Sequence, residues 1–356
     1  MITLETLADF IRYGEPILEA DFSGCDLSGW NLAGAVFLRS DFSGANLTGA
    51  DISKCLFTEC NLQDARFDDI KTEQAVFLKS TLDRACMGGC WFEKVSFLET
   101  SAKSSNLAGA NCISCQFVAA DLEGADLSGA ALLNSSMVEC TATNTNFSDA
   151  LIESAVLVGM DFSTATFADV MLQAAMFIKC DLTSMDFSDT PVTQCGFVET
   201  ALDGCRFERS DLTGSVLVGS KLQGASFAEA IADMALFCDA DLQQAVFAGA
   251  KLEMANFTGS DLRQADLTGS LCAKALFDQA DCRGTVFTGG DLNMSSFSNS
   301  NLDGADMSRA AMHMTDFHNA SVNSTVMTGA HGSIRQTDDL RLICEIYDPR
   351  KVALAD

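Results

Sequence analysis

Stepping by five from Phe22 meets a bulky apolar residue almost every time: Phe22, Leu27, Leu32, Phe37, Phe42, Leu47, Ile52, Phe57, Leu62, Phe67. The series runs to Met327 without an insertion or deletion, which makes 62 units. Of the 25 phenylalanines, 24 lie on it, Phe10 being the exception. Neither the 3.6-residue period of a helix nor the alternation of an ordinary strand fits five, so the chain is an array of short identical units. A few centres are small: Thr72, Ala102, Cys112, Ala142, Ala232, Cys272 and Cys282.

The unit has its own grammar. Two residues before each centre the side chain is usually Ala, Ser, Thr or Cys. Asp or Asn stands directly before the centre in 25 of the 62 units, and Gly is common two residues after it. ADLEGADLSG at 120–129 shows the pattern twice. This unit resembles the repeat of the pentapeptide-repeat family over residues 17–331. The resemblance implies an all-β solenoid, a right-handed four-sided β-helix with four units per coil. Centre and small residue then point inward and the other three positions outward.

A step of twenty supports four sides independently. From Phe37 it meets Phe at twelve of fifteen positions, whereas the series from Phe22 is mostly Leu. Each wall keeps its own residue type, as stacked coils would require. About fifteen coils at a strand spacing of ~4.8 Å predict a length of roughly 70–75 Å. Solenoid ends expose core and need covering. Residues 1–16 hold an amphipathic stretch, LETLADFIRY, stopped by Gly14 and Pro16, that reads as an N-terminal capping helix. In 332–356, TDDLRLICEIYD places Leu340, Ile343 and Tyr347 on one helical stripe, which suits a C-terminal cap or a dimerisation segment.

Chemistry is sparse. His313 and His318 fall on outward positions and read as surface residues, with His331 the third histidine. Twelve of fifteen cysteines sit at the centre or the small inward position, the others being Cys86, Cys238 and Cys344. There they pack as small hydrophobes, so neither a metal site nor a disulfide scaffold is expected. No catalytic residue, metal or cofactor is assigned, and the chain reads as no enzyme. Without a basic n-region or an apolar run of about 18 residues, a cytoplasmic protein is expected, non-classical export remaining open.

Function should therefore lie on the outer walls, named here by their first centres. The net charge of −27 excludes direct nucleic-acid binding and disfavours an anionic membrane. The Phe22 and Leu27 walls carry 25 acidic against 9 basic outward residues, including Asp21, Asp41, Asp121, Asp161, Asp181, Asp241, Asp261 and Asp281. The other two walls carry 15 against 8. On the Phe37 wall the outward positions are apolar: Val36, Leu38, Leu56, Val76, Leu78, Leu98, Val118, Val138, Val158, Ile178, Val198 and Val218. Met234, Met254, Met294 and Met314 run along the neighbouring edge, broken by Lys274.

Two functions suit these walls. One is a non-enzymatic protein-binding scaffold that engages a protein partner or a second copy through the apolar wall. Long bacterial pentapeptide proteins that accompany secretion systems are similar. The other follows the family's quinolone-resistance members, acidic dimers that imitate DNA and bind DNA gyrase or topoisomerase IV. Against it, B-DNA carries about 40 charges over this length, whereas the acidic walls net −16. Stacked Val and Leu also support strand-like walls by packing on each other, with no partner involved.

Overall fold

The computed structural model describes residues 4–337. Each five-residue unit forms one side of a coil, and equivalent residues of successive coils pair in parallel twenty positions apart, as in Phe37↔Phe57 and Phe57↔Phe77. The centres from Phe22 to Phe317 are buried, the last two, Val322 and Met327, are not, and the small residues beside the centres are buried with few exceptions. The architecture is a parallel β-solenoid with four sides, as the step of twenty requires.

Most sides are turns, and their five backbone donors are all accounted for. In the unit centred on Phe22, the Phe22 and Gly24 amides donate to Asp41 and Ser43 of the next coil at 2.7 and 2.8 Å. One coil later, the Asp41 amide donates back to the Ala20 carbonyl at 2.8 Å. The Cys25 amide closes the turn on the Phe22 carbonyl at 3.0 Å. The remaining donor, Ser23 N–H, goes to Asp21 Oδ1 at 3.0 Å. Asp or Asn before the centre is thus an Asx cap for a donor the ladder leaves over.

The second residue after the centre has positive φ, the geometry of the second central residue of a type II turn. Among the described residues, the 41 left-handed non-glycine residues all fall on this series, and none is β-branched. Thr164 is its one β-branched member, and it is absent from the left-handed set. There the ladder yields: Asn144 N–H donates to Thr164 Oγ1 at 3.0 Å instead of to a backbone carbonyl.

The chain forms two compact units. The first comprises Met1–Asp186 with Thr190–Ala201. It opens on the helix Leu4–Tyr13, which buries Leu7. Left-handed Gly14 ends the helix, with Gly14 N–H on the Ile11 carbonyl and Glu15 N–H on that of Phe10, a Schellman closure. Two walls of this unit are extended rather than turned. A ten-stranded parallel sheet runs from Ile17–Leu18 to Gly196–Val198 on the Phe37 wall, and a six-stranded one from Lys71–Glu73 to Met171–Gln173 on the Leu32 wall. On the first, Val, Leu and Ile after the centres favour extended backbone.

The second unit comprises Phe187–Asp189 with Leu202–Asp356. Between Arg206 and Ser296 its coils are joined by isolated parallel bridges such as Asp241↔Asp261 and Asp261↔Asp281. Its core is a double ladder of rings. Phe237 stacks on Phe257 at 4.8 Å and meets Phe247 edge-on at 5.6 Å and 89°. Such offset and edge contacts add about 0.5–1.5 kcal/mol each beyond burial.

The five-residue register ends at Gly332. Its φ is +120°, and a Cβ there would lie 2.5 Å from the His313 amide nitrogen, so only glycine fits. Beyond it Ile334 pairs with Thr315, one residue short of the usual twenty. Phe317 N–H then donates to the Arg335 carbonyl, and Asn319 N–H to Thr337 Oγ1. The returning segment lies alongside 317–319, and His318 is buried, not the surface residue that its outward position predicted. The helical stripe Leu340, Ile343 and Tyr347 lies outside the described residues.

A candidate docking face

The outer face of the ten-stranded sheet brings together eleven of the twelve residues expected on the apolar wall. Val36 and Leu38, Leu56, Val76 and Leu78, Leu98, Val118, Val138, Val158, Ile178 and Val198 all lie on its strands. The twelfth, Val218, belongs to the second compact unit, on a turn rather than a strand.

Parallel pairing sets these side chains in columns. Leu78 neighbours Leu98, Leu98 neighbours Val118, and Val138 neighbours Val158 and Val158 Ile178. Each covers its neighbours' flanks, so most are half-buried, and Val118 and Val156 reach 37% exposure. The column before the centres is less apolar, with Ser96, Gln116 and Ser136 among its members. At its far end Met176 folds over Gly196, occupying the space a Cβ would need.

One edge of the face is charged, which counting charges wall by wall did not show. Glu19, Arg39, Glu59, Lys79, Glu99, Glu139, Lys179 and Glu199 share the left-handed position of this wall. Arg39 pairs with Glu19 at 2.9 Å, Lys79 with Glu99 at 3.7 Å and Lys179 with Glu199 at 3.5 Å, along the solenoid axis. Exposed pairs of this kind add little stability. They do give the apolar strip a polar rim, the arrangement of a protein interface. The step of twenty from Glu19 carried this signal.

The acidic columns are engaged in the fold. Asp21, Asp41, Asp121, Asp161 and Asp181 of the first unit each accept the amide hydrogen two residues on, at 2.8–3.1 Å. Asp241, Asp261 and Asp281 of the second do so at 3.1–3.3 Å. Cations neutralise several: Lys103 lies 2.9 Å from Asp121, Arg263 2.6 Å from Asp261, and Arg283 2.6 Å from Asp281. The Ser23 hydroxyl and amide hold Asp21 below the usual carboxylate range, and Ser163 does the same for Asp161. Arg283 chiefly depresses Asp281.

The thiols follow the register with one departure. Cys25 is exposed although its position is an inward one, for it lies in the first coil. Most of the others are buried. Cys55 and Cys90 donate to the Leu32 and Phe67 carbonyls of the preceding coil, both at 2.9 Å, as Ser80 does to Phe57 at 3.1 Å. Among the described residues no His, Cys, Asp and Glu cluster could hold a metal ion, and no helix is long and apolar enough to cross a membrane.

The second unit has its own apolar edge. Met234, Met254 and Met294 are about half exposed, with Met314, Leu236 and Leu276 less so. Lys274, which interrupts the methionines, pairs with Glu253 at 2.7 Å.

Comparison with known proteins agrees with this geometry. The family model described as pentapeptide repeats matches in 8 copies, at residues 20–58, 60–97, 105–141, 145–183, 197–228, 233–269, 265–304 and 291–329. No curated protein matches the sequence. Among solved structures the chain is similar to HetL, a pentapeptide repeat protein involved in heterocyst differentiation regulation from the cyanobacterium Nostoc. The identity is 22%, over 64% of this chain and 87% of that one, with a TM-score of 0.24. It is similar to QnrB1, a plasmid-mediated fluoroquinolone resistance protein, at 15% identity over 69% and 98% of the two chains, with a TM-score of 0.32. A third is the pentapeptide repeat protein Rfr23 from the cyanobacterium Cyanothece, at 17% identity over 36% and 91%, with a TM-score of 0.18. These likenesses concern the fold alone.

Proposed function

The chain belongs to the pentapeptide-repeat family, and from that premise we propose that it is a non-catalytic scaffold that binds protein through the outer face of its ten-stranded sheet. One observation carries this reading: an aliphatic column, interrupted only by Thr58, continues from Leu38 to Val198 on adjacent parallel strands. Eight spacings of ~4.8 Å make the strip roughly 38 Å long. With a width of about 10–12 Å it covers on the order of 400–450 Å², the size of the largest and often functional patch on a monomer. A rigid sheet presents it without an ordering cost on binding.

The DNA-mimic reading has weaker support. The Asp columns are caps of their own turns, and Lys103, Arg263 and Arg283 offset part of their charge.

Solution mass by light scattering, for wild type and for Val118→Asp with Val158→Asp, tests the proposal. A wild-type dimer and a folded monomeric variant place self-association on this face. Two monomers direct the test to pull-down with each as bait, where a protein captured by wild type and lost by the variant supports the reading. If every partner and every dimer survives both carboxylates, the face is not the docking surface.

A further inference from the structure

The outer face of the ten-stranded sheet has nearly the same polarity pattern read from either end. Of its nine strands from Val36–Leu38 to Gly196–Val198, Gln116–Val118 is the fifth. Gln116 and Val118 are both exposed, whereas Ser96, Leu98, Ser136 and Val138 on the adjacent strands are half-buried. Counted outward from the fifth strand, the column before the centres matches Ser96 with Ser136, Val76 with Val156 and Leu56 with Met176. Polar answers polar and apolar answers apolar. The outermost match is Val36 with Gly196, the position that the Met176 side chain covers.

The charged edge keeps the same centre. Its member beside Val118 is Ala119, which carries no charge. Glu59 and Lys179 stand three coils to either side of Ala119, and Arg39 and Glu199 four coils. Both matches join unlike charges. Arg39, Lys79 and Lys179 each hold a carboxylate of their own chain, but among the described residues Glu59 and Glu139 form no ion pair.

We propose that the occupant of this face is a second copy of the chain, packed antiparallel about a two-fold axis through Gln116, Val118 and Ala119. This rests on the sheet-face reading and names its partner. An axis along the strand direction sets each column on its own counterpart and brings the two charged edges together. Val118 then packs on itself, and Gln116, whose amide both donates and accepts, faces itself. Arg39 meets the partner's Glu199 and Glu59 the partner's Lys179, twice each by symmetry. A charge at position 119 would face its own copy, and Ala119 avoids this. Glu99 falls opposite the partner's Glu139, a like pair that Lys79, 3.7 Å from Glu99 and one coil away, offsets.

An axis between the Lys79 and Glu99 coils would also oppose unlike charges. It would set Leu56 on Gln116 and Val76 on Ser96, and leave Ile178 and Val198 uncovered. The mixed polarity of the first column therefore selects the register. Eight coil spacings by four residues give roughly 38 by 13 Å, or about 500 Å² per copy. The total of about 1,000 Å² suits a reversible dimer rather than an obligate one.

Light scattering over a concentration series reads the association. Wild type should pass from monomer to dimer. Glu59→Lys and Lys179→Glu should each weaken the dimer about tenfold, since unlike contacts become like ones, and the two together should restore it. Oxidative cross-linking in a Cys25→Ser background reads the register, because Cys25 is exposed, with that background alone as control. Val118→Cys should link to itself. Leu38→Cys should link to Val198→Cys in a mixture, and neither to itself. A wild type still monomeric near ~1 mM, where even a weak interface associates, overturns this proposal and leaves the sheet-face reading to the pull-down. A dimer that survives Val118→Asp with Val158→Asp overturns both. A dimer lost in that variant, yet without the charge rescue or the Val118→Cys link, keeps the face and overturns this arrangement. The cysteine variants decide the register even where a charge variant does not fold.

Discussion

Asn146 donates its side-chain amide to the carboxylate of Asp126, one coil earlier, at 3.0 Å, while its own Oδ1 accepts the Ser148 amide hydrogen at 3.0 Å. Asp126 meanwhile caps Ser128 at 3.0 Å. Asn46 stands on Asp26, and Asn61 on Asp41, in the same way. A carboxylate can cap its own turn but cannot also donate to the carboxylate below it. Asn can do both. The mixture of Asp and Asn before the centres is therefore not an interchange of equals.

Asn146→Asp should destabilise the protein by on the order of 1 kcal/mol at neutral pH, through a lost bond to a charged group and a new like-charge neighbour. Asn146→Ala loses the bond and the cap without the repulsion. Urea unfolding at two salt concentrations separates these effects. The Asp variant should recover part of its loss in high salt, and the Ala variant should not. An Asp variant as stable as wild type would show that the ladder bond contributes nothing.

Gly129 isolates the cost of the left-handed turn position. Its φ is +62°, and no atom lies within 4 Å of where a Cβ would be. Any effect of substitution is therefore conformational rather than steric crowding. Asn, which tolerates this region, should cost little in Gly129→Asn. Gly129→Val should cost about 1–2 kcal/mol more, because the branched Cβ meets the following carbonyl. Thermal melts of the pair give the comparison, and equal melting temperatures would mean that the turn adjusts as it does at Thr164.

The register, the burial of the phenylalanines and the fourfold repeat of the walls were legible because each is a periodic choice between bulky, small and polar. The apolar strip was legible for the same reason, up to Val198. What a periodic reading could not supply was context. Val218 continues the pattern in sequence, yet its side is a turn. Cys25 and His318 sit at opposite ends of the register, where position no longer decides burial. Cys25 lies in the first coil, and His318 is flanked by a return strand that starts after the repeat has stopped. The sequence states the charge of the acidic walls but not what their carboxylates bond to. Their bonds to Ser23, Ser43 and their equivalents depend on turn geometry, which composition does not state.

Buried thiols give the protein an alkaline weakness whose direction can be worked out. Burial pushes Cys55 and Cys90 up to about 12, against an ordinary value of 9.0, and Cys60, Cys140 and Cys195 up to about 11. Below pH 9 these thiols are protonated in both folded and unfolded chains and do not affect the pH dependence. Above pH 9 the unfolded chain releases their protons while the folded chain retains them, so stability falls as pH rises. The fall for each thiol ends near its folded value. Inside that window each contributes a slope of up to roughly 1.4 kcal/mol per pH unit. Cys55→Ala with Cys90→Ala should therefore flatten the decline of unfolding free energy between pH 9 and 10.5, whatever the variant loses in packing at pH 7. The flattening follows from the proton balance alone. Parallel curves for the two proteins would mean that Cys55 and Cys90 ionise as readily in the coil as in the unfolded chain.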